Sequence, residues 1–151
     1  MSEVLDVVIV GGGLVGGLTA LLLAQGGVQP TVLDAAPVLD VEKTLSVMNP
    51  RVLALSQATI HLLRTVNVWD DLARQMPYTG IQVWNLNGYG EINFGHESVQ
   101  RPMPEQSLGS MIEPSVLNVA IQQKMLEQLT DYRTQVRVTR IEQGVGCWHI
   151  Q

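Results

Sequence analysis

Cysteine is nearly absent from this sequence of 151 residues. Cys147 stands alone, which excludes an internal disulfide and argues against a cysteine-built metal site. Histidine is scarce too. His61, His96 and His149 are the only three, none pair at metal-ligand spacing and there is no H-E-x-x-H, so no metal is expected. The nine basic residues never form a run and the formal net charge is -5, which speaks against nucleic acid or any other polyanion as a partner. Long apolar stretches are missing as well. The longest, Val7–Val10 and Leu18–Ala24, are too short and too closely flanked by glycine to span a bilayer. The start, Met1-Ser2-Glu3, lacks the basic residues of a signal peptide. A cytoplasmic location is expected, with peripheral contact to the inner membrane left open. There is no internal repeat and no low-complexity tract.

What is present is a globular composition, 46% hydrophobic and 15% charged, enough for one domain with a core. Val4–Val10 is a near-continuous β-branched run, the pattern of a strand buried in a parallel sheet. Gly11-Gly12-Gly13 breaks it, Leu14–Gln25 has helical character, and Gly26-Gly27 is a stop signal. Pro30–Asp34 then returns as a strand, which completes a βαβ unit expected at the centre of the sheet. Ala35–Pro50 is expected as loop, and Leu55–Val66 as a helix with Ser56 at its N-cap, followed by a short turn over Val68–Arg74. Ile81–Asn85 and Glu91–Phe94 form a hairpin signal around Asn87-Gly88. A polar loop is expected over Val99–Ser107. Pro114 suits the first turn of a helix to about Leu129, with Val116, Leu117, Ala120, Ile121, Met125 and Leu129 at helical spacing. Thr134–Ile141 alternates as a strand, and Cys147–Gln151 begins another after the turn at Gly144–Gly146. Because the sequence stops on that strand, a truncated piece of a longer chain is expected.

The chemistry is concentrated in Gly11-x-Gly13-x-x-Gly16. Alone it is a weak pattern, but here it follows a strand, opens a helix and lies 23 residues before an acidic residue, Asp34, at the end of the next strand. Each position has its own physical task. Gly11 permits the tight turn, Gly13 lets backbone approach a pyrophosphate, and Gly16 lets the helix pack closely on the sheet. The amides at Leu14 and Val15, with the positive end of the helix dipole, meet the phosphate charge. Asp34 can accept from the adenosine ribose hydroxyls and repels a 2′-phosphate. The fingerprint does not separate FAD from NAD, and a glycine-rich turn without a ligand is its bland alternative.

The next segments carry a resemblance. Arg51-Val-Leu-Ala-Leu-Ser56, followed by a helix ending at Val68-Trp69, resembles the corresponding stretch of the ubiquinone-biosynthesis hydroxylases among the class A flavin monooxygenases. Ile81–Phe94 is similar to that family's first excursion into the substrate-domain sheet. Leu108-Gly109-Ser-Met-Ile-Glu113 is similar to its stretch before the long helix. Two positions depart from the pattern: Asn67 replaces a glycine, and Pro114 stands where many members have Asn.

The resemblance implies an α/β fold, a Rossmann-like FAD-binding domain with a parallel sheet and a small antiparallel excursion over residues 79–112, all within the N-terminal portion of a longer protein. It implies FAD as cofactor and NAD(P)H as reductant. The reaction would be hydroxylation, with O₂, of the aromatic ring of a lipid-tailed phenol or quinol. It also implies that Arg51 reaches the flavin cofactor, where a guanidinium fork suits phosphate or flavin polar edges. The expected cofactor-binding set is therefore Gly11, Gly13, Leu14, Val15, Gly16, Asp34 and Arg51. No acid–base catalyst is assigned. The family's later Asp-Gly and Gly-Asp motifs do not occur in these residues. Weak FAD retention and self-association through an open sheet edge are expected of the chain by itself, and a multi-enzyme complex or membrane surface is a conceivable setting for the parent. An NAD-dependent Rossmann dehydrogenase and a non-catalytic FAD-binding fragment stand as alternatives. Trp69 and Trp84 are expected as core or hairpin-packing residues, Cys147 as a small buried hydrophobe, and His61 as packed or surface.

Overall fold

The computed structural model describes residues 3–95 and 107–151. His96, and all but the last residue of the loop expected over Val99–Ser107, lie outside the described residues. In chain order the elements are β1 (Val8–Val10), α1 (Leu14–Gln25), β2 (Thr31–Leu33), α2 (Val41–Leu45), β3 (Leu53–Ser56), α3 (Gln57–Thr65) and a single 3-10 turn at Trp69–Asp71. They continue with β4 (Met76–Tyr78), β5 (Gly80–Trp84), β6 (Glu91–Gly95), β7 (Gly109–Ile112), α4 (Pro114–Gln128), β8 (Tyr132–Arg133), β9 (Ile141–Gln143) and β10 (Trp148–Ile150).

The β-branched run of β1 pairs in parallel with β2, Val8 opposite Thr31 and Val10 opposite Leu33, with α1 as the crossover. β8 adds to the far side of β2, giving the order β1-β2-β8. The central strand is therefore β2, and β1 is an edge, with Val10 half-exposed. The first strand is also shorter than its sequence pattern: its paired register runs from Val8 to Val10, the Val7 carbonyl adds one further bond from the Thr31 amide at 2.9 Å, and Val4 lies in solvent. A second sheet, β3-β7-β4, is antiparallel, with Ser56 and Tyr78 both opposite Gly109. The expected hairpin forms as β5-β6, with Ile81 opposite Phe94 and Val83 opposite Ile92. β9 and β10 form a last antiparallel pair.

One hydrophobic cluster joins these layers: Leu21 of α1, Val32 of β2, Ile60 and Leu63 of α3, Trp69, Ile112 of β7, and Ile121 and Met125 of α4. Each large aliphatic side chain buried there contributes about 1.5–3 kcal/mol. Helices α1 and α4 meet at Gly17, over which the ends of Ile121 and Met125 close. α4 begins at Pro114 with its φ already set for a helix, and α1 spans the expected residues before Gly26 caps it. The Ser56 cap also forms, its hydroxyl accepting from the Thr59 amide at 3.3 Å. Ser56→Ala should cost about 1 kcal/mol in a urea melt, and no measurable change would show that this cap is idle.

Several expectations fail for identifiable reasons. Thr134–Arg140 is not a strand, because Gln135 sits at φ 59 and turns the chain, sending its amide to Ala36 and that of Val136 to Asp34. Cys147 is exposed rather than buried, since it lies in the turn between β9 and β10. Trp69 is buried in the core, whereas Trp84, opposite Glu91 in the hairpin, is 66% exposed. His61 is a surface residue. The stretch read as loop from Ala35 contains α2, capped by Asp40 accepting from the Lys43 amide at 3.0 Å.

Candidate functional site

The three glycines of the fingerprint are held by different forces. Gly11 takes φ +99, a conformation that favours glycine, while its amide donates to Leu33 O at 2.8 Å and closes the turn onto β2. Gly16 is required by contact: a Cβ built there would sit 1.9 Å from Gly11 O and 3.3 Å from Ile9 Cγ2. Gly13 is different again. It is exposed, it is the N-cap of α1, and a Cβ there would meet nothing within 4 Å. Among the described residues no contact demands glycine at 13, which leaves the backbone there open to a group approaching from outside.

Among the described residues no side chain caps α1. Its first-turn amides, at Leu14, Val15 and Gly16, have no partner within the helix and are offered to whatever lies at that end. Leu14 turns toward the hydrophobic cluster, whereas Val15 is 81% exposed beside the turn.

Asp34 reaches back to this turn. Its Oδ2 accepts from the Gly12 amide at 2.9 Å and its Oδ1 from the Ala36 amide at 2.9 Å. A carboxylate has about four acceptor positions, so both oxygens retain capacity for hydroxyl donors. Tyr132 of β8 lies against Gly12, and burial pushes its phenol above the usual range. Gln122 donates to the Tyr132 hydroxyl at 3.2 Å and accepts from the Leu39 amide at 2.7 Å, which ties α4 to the floor of the turn. The arrangement can seat a pyrophosphate on uncapped amides and place a ribose near a fixed carboxylate.

Arg51 belongs to a different part of the molecule. It precedes β3 and is exposed, its amide donating to Asn49 Oδ1 at 2.9 Å; its guanidinium makes no hydrogen bond or ion pair among the described residues. Nearby is an arrangement that sequence reasoning missed. Arg74 and Glu113 pair as a fork, Nε to Oε1 at 2.6 Å and Nη2 to Oε2 at 3.1 Å. The hydrogen bond from Arg74, then that from the Asn49 amide, holds the Glu113 carboxyl below its ordinary range against the opposing effect of burial. The partners are 39 residues apart, a separation for which no local spacing gives a signal. In the first turn of α4 the Ser115 hydroxyl is buried without a partner among the described residues, and Ser115 shares a depression with Asn49 and Pro50. An extended cofactor that runs from the glycine turn toward Arg51 is compatible with this unsatisfied donor.

Comparison with known proteins separates FAD from NAD. A family model described as "FAD binding domain" matches residues 4–146. The 3-demethoxyubiquinol 3-hydroxylase of Escherichia coli is 35% identical over 123 residues, covering 80% of this chain and 30% of that protein. The mitochondrial ubiquinone biosynthesis monooxygenase COQ6 of Dictyostelium discoideum is 24% identical over 134 residues, covering 82% of this chain and 27% of that protein. The chain thus spans less than a third of the length of these relatives. Among solved structures, p-nitrophenol 4-monooxygenase PnpA from Pseudomonas putida superposes with a TM-score of 0.68 at 22% identity, covering 95% of this chain and 35% of that one. The flavin-dependent monooxygenase PieE, solved with FAD and substrate, gives a TM-score of 0.66 at 19% identity, covering 95% and 26%. These two likenesses concern the fold. With the glycine turn, the βαβ crossover and the match over residues 4–146 together, the chain belongs to the FAD-binding-domain family.

Proposed function

We propose that this chain is the N-terminal, FAD-holding part of a monooxygenase that hydroxylates the aromatic ring of a lipid-tailed phenol or quinol in ubiquinone biosynthesis. The observation that carries the reading is the glycine turn, where an outward-facing Gly13, an uncapped α1 and the fixed Asp34 carboxylate converge. The names of the curated relatives supply the class of substrate. FAD, when bound, supplies reduction by NAD(P)H and the activation of O₂.

The chain's own residues do the holding. Amides at Leu14 and Val15 take the pyrophosphate where Gly13 leaves room for it, Asp34 accepts from the adenosine ribose, and Arg51 offers its guanidinium to phosphate or the flavin edge. Within the expected excursion toward the substrate domain, residues 80–95 form the β5-β6 hairpin. In the hairpin β5-β6, the cross-strand pairs Ile81–Phe94 and Val83–Ile92 put four apolar side chains on one half-exposed face, a surface suited to a lipid-like partner or a further layer of protein. No helix among the described residues is long and apolar enough to cross a membrane. We place the enzyme in the cytoplasm, touching the membrane peripherally to meet a lipid-tailed substrate, and association with a multi-enzyme complex would serve the same purpose.

The test is a titration of the chain with FAD, followed by quenching of flavin fluorescence. Saturable binding is expected, with NADH unable to compete for the site. Arg51→Ala should weaken binding about tenfold, the loss of one charge-assisted contact. Failure of the unaltered chain to bind FAD, or preference for NADH, would sink the proposal.

A further inference from the structure

Residues 46–52 lie outside any helix or strand, yet they deliver Arg51 to β3. The anchors of this loop converge on one ion pair. Arg74 Nη1 donates to Leu45 O at 2.8 Å and its Nη2 to Val47 O at 3.2 Å. Glu113 Oε2 accepts from the Asn49 amide at 2.6 Å. Asn49 Oδ1 in turn accepts from the Arg51 amide, so a continuous chain of hydrogen bonds runs from Arg74 through Glu113 and Asn49 to Arg51.

Glu113 itself is a firm base for such a chain. It directly follows β7, whose Ile112 is in register with Leu53 of β3, and it is only 7% exposed. An ion pair serving only to join two elements would need one contact between them. Here the Arg74 fork and the second Glu113 oxygen both spend their remaining bonds on residues 45–49. Neither residue belongs to the hydrophobic cluster. A buried carboxylate needs more than one partner to offset its desolvation, and the loop amide is the partner this one has taken.

We propose that Arg74 and Glu113 are positioning residues for Arg51: the pair fixes residues 45–49, and through Asn49 it sets where the guanidinium meets FAD. The inference rests on the reading that Arg51 contacts FAD. It assigns the ordering of that contact to residues that do not touch the cofactor. Removing the pair leaves Arg51 chemically intact but lets its loop sample other positions, and affinity falls by the fraction of time spent elsewhere.

A double-variant cycle in the full chain tests it, with FAD affinity from flavin-fluorescence quenching and amide hydrogen exchange as a second readout. Glu113→Gln should weaken FAD binding about fivefold to tenfold and accelerate exchange at the Asn49 and Arg51 amides. In an Arg51→Ala background the same substitution should cost almost nothing further, because the residue it positions is gone. A merely structural role gives the opposite: the two losses multiply, which overturns the proposal. Should Glu113→Gln fail to fold, Arg74→Lys keeps the charge but not the fork to two carbonyls, and it should show the same pattern. If Arg51→Ala loses affinity while Glu113→Gln and Arg74→Lys bind FAD normally, the positioning role is wrong and the Arg51 contact stands. If Arg51→Ala binds normally, that contact is wrong and the positioning role goes with it.

Discussion

Gly16→Ala should destabilise the chain by about 3 kcal/mol or more and abolish FAD binding, the largest loss expected of any single methyl group in the glycine turn. The added Cβ would lie 1.9 Å from Gly11 O and 3.1 Å from Gly11 C, both backbone atoms that have no rotamer to change. Gly11 cannot yield, because its amide is bound to Leu33 O and its φ of +99 is already committed to the turn. Moving α1 instead would pull Gly17 away from Ile121 and Met125 and open the α1–α4 contact. Either way the amides of Leu14 and Val15 leave the position that a pyrophosphate needs. Gly13→Ala separates the two consequences. Its Cβ meets nothing and its φ of -72 suits alanine, so folding should be unchanged or improved by a few tenths of a kcal/mol, while FAD binding is blocked from outside. Urea melts and FAD titrations of both variants give the answer. A Gly16→Ala protein that melts like the parent would show that the turn is looser than its geometry, and a Gly13→Ala protein with full affinity would show that FAD does not approach there.

What was readable in the sequence was local. The bounds of α1 follow from Gly13 and Gly26 on either side of an apolar run, the start of α4 from Pro114, and the α3 cap from Ser56, because each signal acts within one turn of chain. The hairpin β5-β6 was readable for the same reason, through alternation and Asn87-Gly88. The sheet β3-β7-β4 was not. Its strands are short, and β7 pairs with chain that lies far from it in sequence on both sides, so no periodicity announces it. Thr134–Ile141 shows the converse: it has the right period for a strand, yet one left-handed residue at Gln135 diverts its amides to Ala36 and Asp34. Half of the candidate site shared this fate. The glycine turn and Asp34 are contiguous motif chemistry, whereas the support of Arg51 depends on Arg74 meeting Glu113 across that unannounced sheet.

The unannounced sheet makes the second large prediction. Gly109→Ala should cost about 3 kcal/mol and disturb Arg51 as well as the fold. Gly109 sits in the central strand between Ser56 of β3 and Tyr78 of β4, and a Cβ there would lie 2.0 Å from Leu55 O and 2.6 Å from the Tyr78 hydroxyl. The tyrosine can swing aside at small cost, since it is the far end of a side chain. The Leu55 carbonyl cannot, so β3 and β7 must part at the pair that also holds the Ser56 cap. Three residues further on, Ile112 sets the register that leads into Glu113, so the same displacement loosens the anchor of the Asn49 amide. A urea melt should therefore show lost stability, and hydrogen exchange should show faster exchange at Asn49. The decisive comparison is the pair of Gly109→Ala variants with and without Tyr78→Ala. If the backbone contact is the constraint, removing the tyrosine ring restores nothing. Recovery of the parent's stability in the double variant would instead place the constraint on the ring, and the coupling from β7 to Arg51 would lose its physical basis.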